Sequence, residues 1–153
     1  MHPSVLLFAC LFASGSAVAG NARIEHLDSG KVLPKGTLPF SEAVRVGDTL
    51  YLSGQIGNVP GKLELVPGGM KAEAKQVLDN IRTTLEAHGW SMANVVKCTV
   101  MLADIGEWAA MNEVYVAFFR AHRPARSAFG TTGLAMGARL EIECMAAGAS
   151  ASS

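Results

Sequence analysis

One short segment of the sequence has the residue types needed to bind an acidic metabolite. Residues 124–127 read Pro-Ala-Arg-Ser, and the proline interrupts a helical pattern and leads into an extended segment. The planar guanidinium of an arginine placed there can hold a carboxylate through two charge-assisted hydrogen bonds. Arg126 is therefore the strongest candidate for substrate binding. An alternative stays open, in which Arg126 forms a structural ion pair with Glu141 or Glu143.

Two carboxylates follow on the last predicted strand. Glu141 and Glu143 are separated by one residue, so they project from one strand face, opposite to Ile142 and Cys144. Such a pair can provide a general base and a neighbour that influences its pKa. It can equally form an exposed, polar strand edge.

The sequence does not show the patterns of a catalytic triad or of a metal site. The four histidines are scattered, and none has the spacing of a Ser-His-Asp triad or a zinc site. Cys98 and Cys144 lack the CxxC or Cys/His context of metal ligands, so we predict no metal site. Both cysteines lie in predicted strands, either as small buried hydrophobes or, in an oxidising compartment, as a disulfide.

Length and composition indicate one domain with a substantial core. The chain has 153 residues, of which 50% are hydrophobic and 17% are charged. Lys and Arg together number 13, and so do Asp and Glu, which gives a net charge near zero. Proteins that bind nucleic acids or membrane surfaces usually carry a basic patch. The composition therefore disfavours both classes.

The N-terminal residues 1–19 follow the plan of a secretory signal peptide. Their apolar run at residues 5–13 is too short to span a bilayer, and Ala-Val-Ala at residues 17–19 fits a small-residue cleavage site. We expect a periplasmic or secreted protein, or a cytoplasmic one if the signal is not used. A misassigned start codon or a disordered tail is the alternative interpretation.

Three further segments follow the predicted signal. Residues 20–38 are polar and rich in Gly and Pro, and we interpret them as an N-terminal arm or a short first strand. Residues 39–148 form the predicted domain, and residues 149–153 form a short tail.

Hydrophobic periodicity predicts the elements of this domain. Residues 42–46 and 49–53 alternate around a Gly-Asp turn, which is typical of a hairpin. Residues 70–88 have the period of an amphipathic helix and are followed by Gly89. Residues 95–102 read as a central strand and residues 104–121 as a second helix. Two strands, at 126–131 and 139–147, complete a β-β-α-β-α-β-β order in the α+β class.

The predicted sheet has more apolar surface than two helices can cover. Both helices fit on one face, and the other face would carry apolar side chains such as Val44, Leu52 and Val100 or its neighbours. We therefore expect an oligomer.

Taken together, these segments resemble the RidA family, also called YjgF, of reactive-intermediate imine deaminases. The resemblance covers residues 39–147, nearly the whole predicted mature chain. It is carried by Ser-Gly-Gln-Ile at residues 53–56; by Gly69, Ala74, Gln76, Leu78, Asn80 and Ile81; by Asn112, Tyr115, Phe118 and Phe119; by Pro-Ala-Arg-Ser at residues 124–127; and by Leu-Glu-Ile-Glu at residues 140–143.

The resemblance implies a chorismate-mutase-like fold, with two helices on one face of a mixed sheet. It also implies a homotrimer with active sites in the clefts between subunits, and no cofactor. At matching positions, Arg126 corresponds to the arginine that holds the substrate carboxylate, and Glu143 to the glutamate that positions or activates water. Asn112 and Ser53 correspond to polar residues of the pocket.

Three further positions complete this comparison. Gly54 belongs to the implied substrate-binding set. Phe40 stands where the best-known members have tyrosine, so the pocket lacks one hydroxyl, which bears on rate and substrate preference. Ala128 stands where many members have a cysteine that the hydrolysis does not need.

The implied activity is hydrolysis of imines of the 2-aminoacrylate and 2-iminopropanoate type to 2-oxo acids and ammonia. The expected partners are this small-molecule substrate and other copies of the chain, with no nucleic acid and no membrane after signal cleavage. The alternative from another class is a non-catalytic trimer that binds small carboxylates or partner proteins at the same clefts. A third interpretation, an endoribonuclease, is disfavoured by the neutral charge.

Overall fold

The computed structural model describes residues 22–148. The predicted signal peptide at residues 1–19 and the predicted tail at residues 149–153 lie outside this range. Within residues 22–148, no helix combines the length and the apolar character that crossing a bilayer requires.

A six-stranded mixed sheet forms the centre of the fold. The predicted hairpin is present around a turn in which Gly47 has φ 58°, a left-handed conformation that favours glycine. The N-terminal arm contains an additional strand that extends the sheet. The strands are β1 (Ile24–Leu27), β2 (Ala43–Val46), β3 (Thr49–Leu52), β4 (Val95–Leu102), β5 (Ala125–Gly130) and β6 (Leu140–Ala147), in the spatial order β1-β2-β3-β6-β4-β5. Only β4 and β5 pair in parallel.

Two helices cover one face of this sheet, as predicted. Helix α1 spans Met70–Ala87, one residue shorter than the sequence indicates, and helix α2 spans Trp108–Phe118. The predicted second helix at residues 104–121 is too long at both ends. A separate 3-10 turn at Ile105–Glu107 precedes α2, and its N-terminus is capped by the Asp104 carboxylate, which accepts a hydrogen bond from the Gly106 N–H.

The core lies between the helices and the covered face of the sheet. The prediction that Leu52 and Val100 lie on the uncovered face is wrong, because both are buried in this core. The uncovered face nevertheless carries apolar side chains, since Tyr51 and Phe129 point away from the core and are 45% and 47% exposed. Val44, the third predicted residue, pairs directly with Tyr51 and lies on this face as predicted. The physical reason to expect an oligomer therefore holds.

A disulfide joins the central strands β4 and β6. Cys98 and Cys144 lie directly opposite each other in the antiparallel pairing, with their Cα atoms 4.1 Å apart. Of the two alternatives for these cysteines, the structure has the disulfide. On its other side, Cys98 is the register partner of Arg126 in β5, so the crosslink lies beside the strand that carries this arginine.

Reducing this disulfide is expected to lower the free energy of unfolding by about 2–4 kcal/mol, because it closes a loop between distant residues and constrains the unfolded chain. Thermal unfolding with and without a reductant measures the effect, and the double substitution Cys98→Ala, Cys144→Ala should reproduce it. Two titratable thiols in the unfolded, non-reduced protein would contradict the crosslink.

Candidate active site

Arg126 is held in place by helix α2. Its side chain leaves β5 on the face that the helices cover, and its Nη1 atom donates a hydrogen bond to Oδ1 of Asn112 at 2.8 Å. The guanidinium carbon lies 4.6 Å from the ring centre of Tyr115 and 5.5 Å from that of Trp108. These cation–π contacts and the amide hydrogen bond fix the guanidinium plane.

Arg126 lines a cavity of about 540 Å³ near the end of α2. The other lining residues are Asn112, Tyr115, Val116, Phe119, Arg120, Arg123 and Pro124. No carboxylate is among them, and no ion pair within residues 22–148 involves Arg126. The structural ion pair with Glu141 or Glu143 is therefore wrong for this chain, and the guanidinium retains N–H groups for a ligand.

Tyr115 also lines this cavity, and its hydroxyl group is buried. Only 5% of the residue is exposed, yet its hydroxyl has no hydrogen-bond partner within the described chain. Burial raises the pKa of Tyr115, and the nearby Arg126 charge partly opposes that shift. A neutral, buried hydroxyl without a hydrogen-bond partner lowers the stability of the fold, unless a ligand or a water molecule provides that partner.

The sequence pattern alone assigns Tyr115 to the core, as part of an apolar stripe with Trp108. Tyr115 is indeed buried, but Trp108 is 40% exposed and lies over Arg126. The helical spacing of Trp108, Asn112 and Tyr115 is the signal that could have identified this group. Residues three and four positions apart share one helix face, so all three can surround one guanidinium.

Glu141 lines a second cavity, of about 350 Å³, on another side of the molecule. The carboxylate is half-buried, and this burial raises its pKa above the ordinary glutamate value. The negative charge of Glu143 raises it further. Phe40 and Gly54, both predicted site residues, line the same cavity.

Backbone pairing holds Gly54 against Glu141. After β3 ends, Gln55 and Ile142 exchange two backbone hydrogen bonds of 2.9 and 3.0 Å, which continue the pairing with β6 past Gly54. A Cβ atom built on Gly54 would lie 1.9 Å from Oε1 of Glu141. Only glycine therefore allows the carboxylate to lie where it does.

We expect Gly54→Ala to lower the catalytic rate about 10²-fold with little loss of stability. The added methyl group would meet the flexible end of Glu141, so the carboxylate would move while the backbone pairing stays. Activity and thermal unfolding of the variant measure the two effects. If Gly54→Ala acts through the Glu141 carboxylate, it should lower the rate hardly any further in a protein that already carries Glu141→Gln. Rate losses of the two substitutions that simply add in the double variant would contradict this explanation.

The other two predicted residues do not line either cavity. Glu143 shares a strand face with Glu141 but is exposed, and its role in positioning water stays a prediction. Ser53 donates its hydroxyl hydrogen to the carbonyl of Ser41 at 2.7 Å, which joins the end of β3 to the segment before β2. Its role as a pocket residue also stays a prediction.

The predicted site residues thus form two groups within one chain. Arg126 projects to the covered face of the sheet, whereas Glu141 alternates with the buried Leu140 and Ile142 and projects to the opposite face. The strand β4 lies between β5 and β6. One small molecule therefore cannot contact both groups within a single copy of the chain.

Fold and site together define a small α+β protein with two separate cavities, one lined by Arg126 and one by Glu141, and known proteins share this fold. A family model described as Endoribonuclease L-PSP matches residues 31–148. The crystal structure of RidA from an Antarctic Psychrobacter species is similar with a TM-score of 0.71 and 41% identity, covering 76% of this chain and 94% of that one. The YjgF gene product of E. coli is similar with a TM-score of 0.69 and 35% identity, covering 76% and 93%.

A goat protein named 2-iminobutanoate/2-iminopropanoate deaminase is 48% identical over 123 residues, which are 80% of this chain and 90% of that protein. The chain belongs to the RidA/YjgF family, which confirms the resemblance and the fold class predicted from the sequence.

Proposed function

We propose that this protein hydrolyses 2-imino acids to 2-oxo acids and ammonia without a cofactor. The observation that carries the proposal is the oriented guanidinium of Arg126, which forms no ion pair within residues 22–148 and lines a cavity whose described walls contain no carboxylate. The goat relative named 2-iminobutanoate/2-iminopropanoate deaminase supports the same reaction.

Arg126 binds the substrate carboxylate in this proposal. Asn112 occupies one N–H of the guanidinium, and the remaining donors can form a bidentate pair with two carboxylate oxygens. Tyr115 lines the same cavity, and its ring, 4.6 Å from the guanidinium carbon, helps to keep Arg126 oriented for the bound acid.

We propose that Glu141 positions and activates the water molecule. This differs from the sequence-based prediction, which gave that role to Glu143. Glu141 lines a cavity, and a backbone glycine keeps it in place, whereas Glu143 is exposed. The raised pKa of Glu141 also makes it a stronger base than an exposed glutamate.

The reaction then needs one water molecule and two proton relays through Glu141. In the first relay, ionised Glu141 accepts a proton from water while the water oxygen bonds to the imine carbon, and the carboxyl group passes this proton to the imine nitrogen, which gives a tetrahedral amino alcohol. In the second relay, Glu141 accepts the hydroxyl proton and passes it to the nitrogen, so the carbon–nitrogen bond breaks, ammonia leaves, and the hydroxyl oxygen becomes the carbonyl oxygen of the 2-oxo acid.

Two copies of the chain must supply this site. Arg126 of one copy and Glu141 of another can meet across an interface, which the opposite faces within one chain do not allow. A homotrimer with three such clefts satisfies this requirement and would cover the exposed Tyr51 and Phe129 on the open sheet face. Sedimentation or light scattering of the purified protein measures the number of copies.

The pH dependence of the reaction is expected to report the Glu141 carboxyl group. Because burial and the Glu143 charge both raise its pKa, activity should be lost with falling pH at values above the ordinary titration of glutamate, which lies at about pH 4.3. Glu143→Gln removes the repulsion, so it should move this acid limb of the kcat/KM profile to lower pH. An acid limb that does not move would contradict the assignment.

A trapping assay tests the reaction itself. An amino-acid oxidase generates 2-iminopropanoate from alanine, and semicarbazide captures the imine that survives. The purified protein should lower the captured signal in proportion to its concentration. Equal signals with and without the protein would contradict the proposed hydrolysis and favour a protein that only binds small carboxylates.

We also propose that the protein is exported. A disulfide between Cys98 and Cys144 is stable in an oxidising compartment, which supports the predicted signal peptide. N-terminal sequencing of protein recovered from the periplasm or the medium should begin near residue 20. Recovery from the cytoplasm with an intact N-terminus would contradict export.

A further inference from the structure

The cavity beside Glu141 extends away from the carboxylate as a mostly apolar chamber of about 350 Å³. Its walls come from the N-terminal segment, from the loop between β3 and α1, and from the loop before β6. The apolar lining residues are Val32, Leu33, Pro34, Leu38, Phe40, Ile56, Leu63, Ala135 and Met136.

Several of these apolar side chains are unusually exposed. Leu38, Phe40, Leu63 and Met136 are 36%, 53%, 50% and 49% exposed, and all four line this one chamber. Large apolar groups from separate loops that converge around one cavity mark a binding surface rather than scattered surface residues.

Three of the polar residues that line the chamber already have hydrogen-bond partners. Glu42 is bound to His88 and to the Ser29 N–H, Asn58 is bound to Asn80 and to its own loop, and Asp28 accepts from Gly30. Among residues 22–148, no Lys or Arg lines the chamber. A substrate with a carboxylate in its side chain would place that negative charge beside acidic side chains, with no positive charge nearby to balance it.

We infer that this chamber binds the side chain of the substrate, and that the preferred substrates are 2-imino acids with large apolar side chains. The inference rests on the proposed function. If Arg126 of one copy holds the carboxylate and Glu141 of another faces the imine carbon, the remaining substituent on that carbon extends into the chamber. Imines of the leucine, methionine and phenylalanine type fit this space, whereas alanine-type imines leave it empty and glutamate-type imines bring an unpaired charge.

Rate measurements test the preference. With imines generated in situ from leucine, alanine and glutamate, the kcat/KM for the leucine-derived imine should exceed that for the alanine-derived imine by about tenfold or more. The glutamate-derived imine should be the poorest of the three. Equal values for leucine and alanine, or a preference for glutamate, would overturn the inference.

A pair of variants tests the chamber directly. Leu63→Ser removes part of the apolar wall, so it should reduce the leucine-to-alanine ratio of kcat/KM several-fold, mainly through KM. Ile24→Ser is the matched control, because Ile24 is 62% exposed and lines neither cavity. An unchanged ratio in Leu63→Ser, or an equal change in both variants, would contradict a side-chain chamber.

Calorimetric titration with product acids separates this inference from the proposed reaction. Wild-type protein should bind 4-methyl-2-oxopentanoate about tenfold more tightly than pyruvate, whether or not it turns over imines. This binding order without hydrolysis would support the chamber and reject the reaction. Hydrolysis with equal binding of both acids would support the reaction and overturn the chamber, as expected if a neighbouring copy fills it.

Discussion

Arg126→Ala is expected to lower the kcat/KM for 2-iminopropanoate by about 10² to 10⁴-fold. The substitution removes two charge-assisted hydrogen bonds to the substrate carboxylate, each worth about 1.5–3 kcal/mol when water is excluded. The fold should survive, because Arg126 forms no ion pair within the described chain and its one side-chain hydrogen bond goes to Asn112. Steady-state rates from the trapping assay measure the loss.

Arg126→Lys is the matched control for charge. Lysine keeps the positive charge but loses the planar fork, so it should recover only a minor part of the activity. The thermal midpoints of both variants should stay close to that of the wild type. Wild-type rates in Arg126→Ala would show that the carboxylate is bound elsewhere.

Glu141→Gln should cause the second large loss, about 10² to 10⁴-fold in kcat. Glutamine keeps nearly the same shape beside Gly54, but its amide cannot accept a proton from water. Because the substrate carboxylate still reaches Arg126, product acids should bind with nearly unchanged affinity. Single-turnover rates and calorimetric titration measure the two quantities.

Glu143→Gln is the matched control for this experiment. Glu143 shares the strand and the charge of Glu141 but is exposed, so its substitution should leave kcat within a few-fold at neutral pH. The reverse result, a large loss in Glu143→Gln and a small one in Glu141→Gln, would reject our assignment and favour the glutamate predicted from the sequence.

Local patterns predicted most of the fold. The hairpin and both helices follow from alternation, helical periodicity and turn residues, which act over short distances. The first strand, β1, is less distinct, since Ile24–Leu27 lies among polar and turn residues and forms only because β2 offers a free edge. Helix α2 is shorter than its pattern because Asp104 caps a separate 3-10 turn first.

The candidate site was only partly predictable for a related reason. The proline before Arg126 is a local signal, but the choice between Glu141 and Glu143 is not. Both glutamates have the same strand alternation, and they differ only because the non-local pairing of Gln55 with Ile142 brings Gly54 against Glu141. Which core residues face the helices, such as Leu52 and Val100, also depends on distant strand pairing.

The disulfide gives a third example of non-local information. Cys98 and Cys144 are 46 residues apart in the sequence, and each reads as a small hydrophobe within its own strand. Only the antiparallel neighbourhood of β4 and β6, in one particular register, places them opposite each other. The spacing of the two cysteines in the sequence is therefore compatible with a disulfide and with two buried free thiols, and it does not distinguish between them.

Complementation between inactive variants tests most directly whether two copies share each site. Arg126→Ala and Glu141→Gln chains are unfolded together, refolded as mixed oligomers and assayed, with each variant refolded alone as the control. If Arg126 and Glu141 of different copies form each site, the mixture should regain up to about a quarter of the wild-type rate, because that share of interfaces combines two intact residues. No recovery in oligomers proven to be mixed would contradict the shared site, since a site within one chain would always lack one residue.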